Sequence, residues 1–325
     1  MRTGTTAAIR CATFAGLALA CSCASVLDSD GPRTAPPAEA TTNQGAAVSY
    51  SHPYTGVTLI ARRETSPRPL RMNIVDVDLK APGLRFRVTP RCGPKETLKQ
   101  TTLQFLAEHK AQVAINAHYF EPWPPPDPDD GAADLVGIAA SDGTVYSPFE
   151  SHPPKAYAIH TNAPGLNLDR RNRAAIVHRG TNAFSAAEHV TLWNTVSGNE
   201  YILSNGVVIA ADTAWNNTPS PRTAIGLAPG NHLILFTVDG RQPGISEGLT
   251  VIEMARLLHD DYRVTDALDL DGGGSTTLVM DYPETHVVNV PVGSNNVPNS
   301  LRAVGSSLVI FAAPARRPTS IQRRE

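Results

Sequence analysis

The sequence predicts an α+β fold, a single strand-rich, mixed-sheet domain with a few helices. Short apolar runs bounded by turn-forming residues recur along the chain, only two stretches carry helical periodicity, and no linker or internal repeat interrupts residues 53–312. The 325 residues are 41% hydrophobic, enough for a sizeable core. Lys and Arg number 28 against 30 Asp and Glu, so bulk charge points to no nucleic-acid or membrane surface. Function must therefore be read from local motifs.

Residues 1–23 read as an export signal. "MRTGTTAAIR" carries two arginines and no acid, "CATFAGLALA" is apolar but too short for a stable membrane anchor, and "CSCAS" supplies small residues. Ala18-Leu19-Ala20-Cys21 resembles a bacterial lipobox, although a larger aliphatic residue is usual where Ala18 stands. The expectation is an exported protein, a cell-envelope lipoprotein held only by a lipid at Cys21 or a secreted one cleaved near Ala20. Residues 24–52 are rich in Ala, Pro, Thr and Ser and read as a flexible linker, and 313–325 as a disordered basic tail. Cys11, Cys21 and Cys23 fall in the signal, leaving Cys92 alone in the folded part, so neither a disulfide framework nor a cysteine zinc site is expected there.

Within 53–312, "RMNIVDVDL" and "LRFRVT" alternate apolar and polar residues. "AQVAIN", "VGIAA", "AYAIH", "AAIVH", "YILS", "GVVIA", "HLILFTVDG", "DALDLDGG" and "SSLVIFA" are short strand-like runs. "TLKQTTLQFLAEHK" predicts a helix with Leu103, Leu106 and Ala107 on one stripe. "LTVIEMARLLHDD" predicts another with Val251, Met254, Ala255 and Leu258 inward, opened by a Thr250–Glu253 capping box.

Three apolar runs end in polar residues and a turn: Asn116 and His118 in "VAINAHYF", Asp239 and Arg241 in "LILFTVDGRQPG", Asp269 and Asp271 in "LDLDGGGS". Such strand ends present groups at the rim of a rigid sheet, where carboxylates serve as base, acid or nucleophile. Asp271 is the leading candidate, because the Gly272-Gly273-Gly274 backbone after it can approach a ligand and offer N–H groups to an anion. Asp269 lies two residues earlier on the same strand face, with pairing to an arginine as its structural alternative. Asp239 has a local ion pair with Arg241 as its structural alternative, Glu253 has its capping box, and His118 suits a packed histidine. Prolines 219 and 221 set an extended approach to Arg222, whose fork suits phosphate or carboxylate. Asp269 with Asp271 would also offer oxygen ligands to a divalent cation, although no full calcium loop is present.

"INAHYF", "SPRTAIGL", "FTVDGRQPGISEGLTVIEMARLL" and "DALDLDGGGSTTLVM", in this order, resemble the phosphodiester glycosidase domain family over nearly the whole folded part. The resemblance implies a phosphodiester-glycosidase-like fold and points to Asn116, Arg222, Asp239, Gly240, Arg241, Glu253, Asp269, Asp271, Gly272, Gly273, Gly274 and Ser275. Two departures stand out. His118 replaces a second glycine of the first motif, suggesting a narrower pocket or an extra proton donor. Arg302-Ala303-Val304-Gly305-Ser306 replaces a final motif that ends in Asn.

The activity implied is hydrolysis of a sugar-1-phosphodiester in a cell-envelope or exopolysaccharide-type glycan, with no cofactor. Asp271, Asp269 and Asp239 are the expected catalytic set. Asp271 and Asp269 act at the anomeric carbon, and Arg222 binds phosphate. Asn116, His118, Arg241, the three glycines and Ser275 complete the substrate site. Two alternatives remain: a glycoside hydrolase or lyase on a non-phosphorylated envelope polysaccharide, and a non-catalytic surface carbohydrate-binding protein.

Overall fold

The computed structural model of the protein describes residues 39–43, 46–123, 131–150 and 161–315. Its largest element is a nine-stranded sheet. The strands Glu39–Asn43, Ala46–Tyr54, Val57–Glu64 and Leu70–Asp78 form a meander. It continues spatially through His232–Val238, Arg222–Ala228, Asp266–Leu270, Glu200–Ser204 and Val207–Val208. A five-stranded sheet, ordered Thr285–Val287, Leu278–Asp281, Val113–Asn116, Ser307–Phe311 and Arg85–Val88, packs against it.

The side-chain period of two along a strand explains the layering. Val75 and Val77, Leu233 and Leu235, and Leu268 and Leu270 face the sandwich interior, where they meet Ile115, Leu308 and Met280. Their alternates Met72, Ile74, Ile234, Phe236 and Ala267 face the other way and are covered by helix α2, Val251–Tyr262. Helix α1, Thr102–His109, covers Ala114, Val279 and Val309 on the outer face of the five-stranded sheet. The layers therefore run helix, sheet, sheet, helix. Central strands are buried on both faces, which is why "HLILFTV" reads as a continuous apolar run.

Both helices open on capping boxes, Thr101 with Gln104 and Thr250 with Glu253, and both end on a left-handed residue, Lys110 and Arg263. The inward stripe of α2 is the expected one. In α1, Phe105 joins Leu106 in the core while Ala107 is exposed, because the large ring claims the contact with the sheet.

Three features refine the expected strand-rich architecture. The strand ladders among the described residues are antiparallel. The stretch 24–52 holds the strand Glu39–Asn43 and most of Ala46–Tyr54, so the fold begins before residue 53. At the other end, Pro314 bridges Tyr54 and the Ala315 N–H donates to Pro53 O, so the first residues of 313–325 are tied to the sheet. Another five-stranded sheet includes Gly165–Leu168 and Asn194–Ser197, strands too polar to read as apolar runs; buried Asn167 there accepts from Thr195 Oγ1 and the Trp193 N–H. "AYAIH" and residues 1–23 lie outside the described residues.

Candidate active site

The strand Arg222–Ala228 lies between His232–Val238 and Asp266–Leu270, so the segment entering it, Ser220-Pro221, passes between two Asp-Gly turns. A Cβ on Gly240 would stand 2.4 Å from Pro221 N, and one on Gly272 would stand 2.8 Å from Pro221 O. Glycine is needed at both turns for this approach. After Leu270 the chain leaves the large sheet and crosses to Leu278–Asp281 in the facing sheet. Asp271-Gly272-Gly273-Gly274-Ser275 is that crossing.

Asn116 fastens the crossing. Its side-chain nitrogen donates to Asp271 O at 2.6 Å, while its oxygen accepts from Thr223 Oγ1 and the Thr277 N–H, each at 3.0 Å. The Asp271 N–H donates to Ala117 O at 2.9 Å. Asn116 is fully buried, and these contacts position the turn.

Beside the crossing opens a cleft with about 660 Å³ of empty space. Asp271, Gly272, Gly273 and Gly274 form one wall, and Arg222, Arg241 and Arg302 supply positive charge. Tyr119, Phe120, Trp123 and Trp215 give it an aromatic side. Asp271 is the carboxylate that lines this cleft among the described residues. Burial pushes its carboxyl up to about 6, against a hydrogen bond from Ser275 and the charge of Arg302. Arg302 Nη1 donates to Ser275 Oγ at 3.1 Å, and its guanidinium stacks 4.0 Å from the Trp123 ring centroid. Ser275 is thus a fully buried link between Asp271 and Arg302. Arg241, in a left-handed conformation at φ 57°, reaches over Gly273 and donates to Asn296 Oδ1.

Arg222 lines the cleft but is nearly buried, and donates to the carbonyls of Leu249, Trp215 and Thr218. It shapes the Trp215–Ser220 wall while offering charge to the cleft. Asp269 is fully buried behind that wall, and neither carboxylate oxygen has a hydrogen-bond partner. Burial raises it to about 7; Arg222 opposes the shift, and Glu200 and Asp271 add to it. It does not line the cleft, whereas Asp271 does. The strand ends at Leu270, so the face shared in sequence is not shared in space.

Asp239 is likewise buried. It faces inward, accepting at Oδ1 from Asn289 Nδ2 and the Val290 N–H, and it does not line the cleft. Burial pushes it up to about 6, with those two donors opposing. Glu253 caps α2 and ion-pairs with Arg68. His118 is also buried outside the cleft; its Nε2 accepts from the Ser197 N–H at 2.9 Å, and Nδ1 lies 2.7 Å from Ser306 Oγ. Burial lowers its imidazole to about 4, so it is neutral and offers the cleft no proton. The two departures from the motif pattern, His118 and Ser306, are therefore hydrogen-bonded to each other.

Sequence reasoning missed the aromatic wall, Ser220 and the role of Arg302. Tyr119 and Phe120 come directly after His118, and Arg302 opens the final motif, so position within the motifs was the available signal. Tyr119 is held by the Gly272 N–H, and burial beside Asp269 and Asp271 keeps its hydroxyl protonated. Among the described residues, no group of three or more His, Cys, Asp or Glu side chains is placed to hold a metal ion.

Residues 109–311 match the sequence profile of the phosphodiester glycosidase family. The chain is 35% identical over 107 residues to N-acetylglucosamine-1-phosphodiester alpha-N-acetylglucosaminidase of Mus musculus, a match covering 29% of this chain and 20% of that protein. It is 42% identical over 76 residues to the Homo sapiens protein of the same name, covering 22% of this chain and 14% of the relative. The matched region is thus a small part of these longer relatives. In fold, the chain resembles the auto-inhibited catalytic domain of the zebrafish protein of that name, with a TM-score of 0.55 at 18% identity over 82% of this chain and 88% of that one. A hypothetical protein from Synechocystis aligns with a TM-score of 0.54 at 12% identity, covering 86% of this chain and 64% of that one.

Proposed function

Because the chain belongs to the phosphodiester glycosidase family, we propose that it hydrolyses a sugar-1-phosphodiester, with Asp271 as the reacting carboxylate. The observation that carries this reading is one carboxylate facing Arg222, Arg241 and Arg302 across a cleft with an aromatic side. Arginine forks suit the phosphate, and the aromatic rings suit the apolar face of a sugar ring.

Asp271 takes the proton of the attacking water. The water oxygen bonds to the anomeric carbon, the bond from that carbon to the phosphate oxygen breaks, and the phosphate leaves as a monoester. The arginines stabilise the charge that grows on the leaving oxygen. A phosphate ester leaves readily, with a second pKa near roughly 6, so protonation by a separate acid is not required. This agrees with a cleft in which Asp271 works without Asp269. A carboxyl at about 6 is ionised at neutral pH and still basic enough to receive a proton.

Export supplies the setting. The basic, apolar and small-residue pattern of 1–23 supports delivery to the envelope or beyond, with Cys21 as the lipid attachment point and an envelope or exopolysaccharide-type glycan as the substrate. Among the described residues no helix is long and apolar enough to cross a membrane.

Purified protein given a sugar-1-phosphodiester and the matching neutral glycoside should release phosphomonoester from the first and nothing from the second. Cleavage of the neutral glycoside alone would make it an ordinary glycoside hydrolase. Sugar binding without product from either would make it a surface lectin.

A further inference from the structure

We propose that a second cleft, at the far end of the five-stranded sheet, binds an anionic saccharide through Arg85 and Arg170. The cleft holds about 940 Å³ of empty space and shares no lining residue with the catalytic one. The strand Ser307–Phe311 fixes their separation. Ser307 pairs with Asn116 at the catalytic end, and Phe311 pairs with Arg85 at the other. Four residue steps at the usual rise put the two ends about 13 Å apart.

The guanidinium groups of Arg85 and Arg170 are held in place but not neutralised. Arg85 lies 4.7 Å above the Phe311 ring centroid and Arg170 lies 4.7 Å above that of Trp193. Neither has a carboxylate partner among the described residues. The acids of the cleft are already engaged. Asp142 pairs with Arg87 at 2.6 Å, and Asp169 pairs with Arg173 at 2.6 Å and accepts the N–H groups of Arg171 and Arg173. On the same wall, His109 Nε2 is buried with no hydrogen-bond partner, while its ring is fixed edge-on against Phe105. A buried polar atom without a partner is costly, and an acidic oxygen would satisfy it.

The geometry suits a planar carboxylate or a phosphate, received by two cations stacked on aromatic rings. Trp193 has Arg170 over its ring and packs against Gly143, so it fixes the arginine and is not itself a sugar platform. The shared chemistry is therefore an acidic group on a saccharide, set apart from the hydrolytic centre.

Calorimetry distinguishes the sources. Oligogalacturonate provides the carboxylate, an oligomannose carrying phosphomonoesters provides the phosphate, and neutral dextran is the control. The wild-type protein should bind one or both acidic probes but not dextran, more weakly as salt rises. Arg85→Glu with Arg170→Glu should weaken binding at least about tenfold and leave hydrolysis of a small soluble sugar-1-phosphodiester unchanged. The more tightly bound probe identifies the acidic group. If that double variant melts early, Arg170→Gln alone, at an exposed position, should still weaken binding with the fold intact. Unchanged affinity in either folded variant overturns the proposal. So does equal binding of dextran, no binding of either acidic probe, or loss of binding on Asp271→Asn instead. The readout is binding, so it stands or falls independently of the catalytic assignment.

Discussion

Asp239-Gly240 and Asp271-Gly272 look alike in sequence: each ends an apolar strand, and each glycine lets the same residue, Pro221, come close. In space they do different work. Asp239 turns inward, 2% exposed, and braces Asn289 and Val290. Asp271 is 8% exposed and opens on the cleft beside arginines. The difference comes from the path of the chain beyond each turn. After Asp239 it stays close by, with Ser246 Oγ donating to Asp239 O at 2.7 Å, whereas after Asp271 it crosses to the other sheet. An Asp-Gly strand end marks a place where the backbone must pass closely, and topology decides whether its carboxylate reaches a ligand.

The largest test of this contrast replaces each acid in turn. Asp271→Asn should lower kcat by about a thousandfold with an unchanged melting curve, measured as phosphomonoester release. Asp239→Asn should leave kcat within about twofold and instead cost about 1–3 kcal/mol of stability by disturbing two buried hydrogen bonds, read from denaturant unfolding. A collapse of kcat in Asp239→Asn with the fold intact would erase the distinction.

Smaller effects sharpen it. Arg241→Ala should raise KM for a phosphodiester about tenfold and leave binding of a neutral sugar unchanged. The pH profile should separate the acids again: kcat/KM should rise through about pH 6 as Asp271 ionises and be flattened by Asp271→Asn. Stability should run the other way. Asp269 stands at about 7 against an ordinary 3.8, so between those values the folded protein holds a proton that the unfolded chain has lost. Folding stability from this group is full below about 4 and falls as pH rises toward 7; Asp269→Asn should flatten that slope in thermal melts at a series of pH values. Smallest of all, chelation with EDTA should leave activity and melting temperature unchanged.

Much of the architecture was legible because both helices and most strands carry their own period and caps. The polar strands of the third sheet were not. Asn167 and Asn194 are buried by partners more than twenty residues away, which no local pattern signals. The site was legible as a set of motifs but not as roles. Asn116, Asp239, Asp269 and His118 share the strand-end pattern of Asp271 because all of them lie at sheet ends. Whether a side chain points at a ligand or at a neighbouring backbone depends on the sheet crossing after Leu270. Arg302 stood out only as the first residue of an altered motif, since its value lies in contacts with Ser275 and Trp123 that are distant in sequence.

The amide of Asn116 joins the strand it ends, the Asp271 turn and residues on both sheets. These contacts span the two halves of the sandwich, so the Asp271 wall should take its final position only when the halves close on each other. A chain stalled with its sheets apart would present Asp271 on a loose tether, away from the arginines. Enzymatic competence should therefore emerge late in folding and all at once, and in refolding experiments activity should return with the final docking step, after most of the secondary structure has formed.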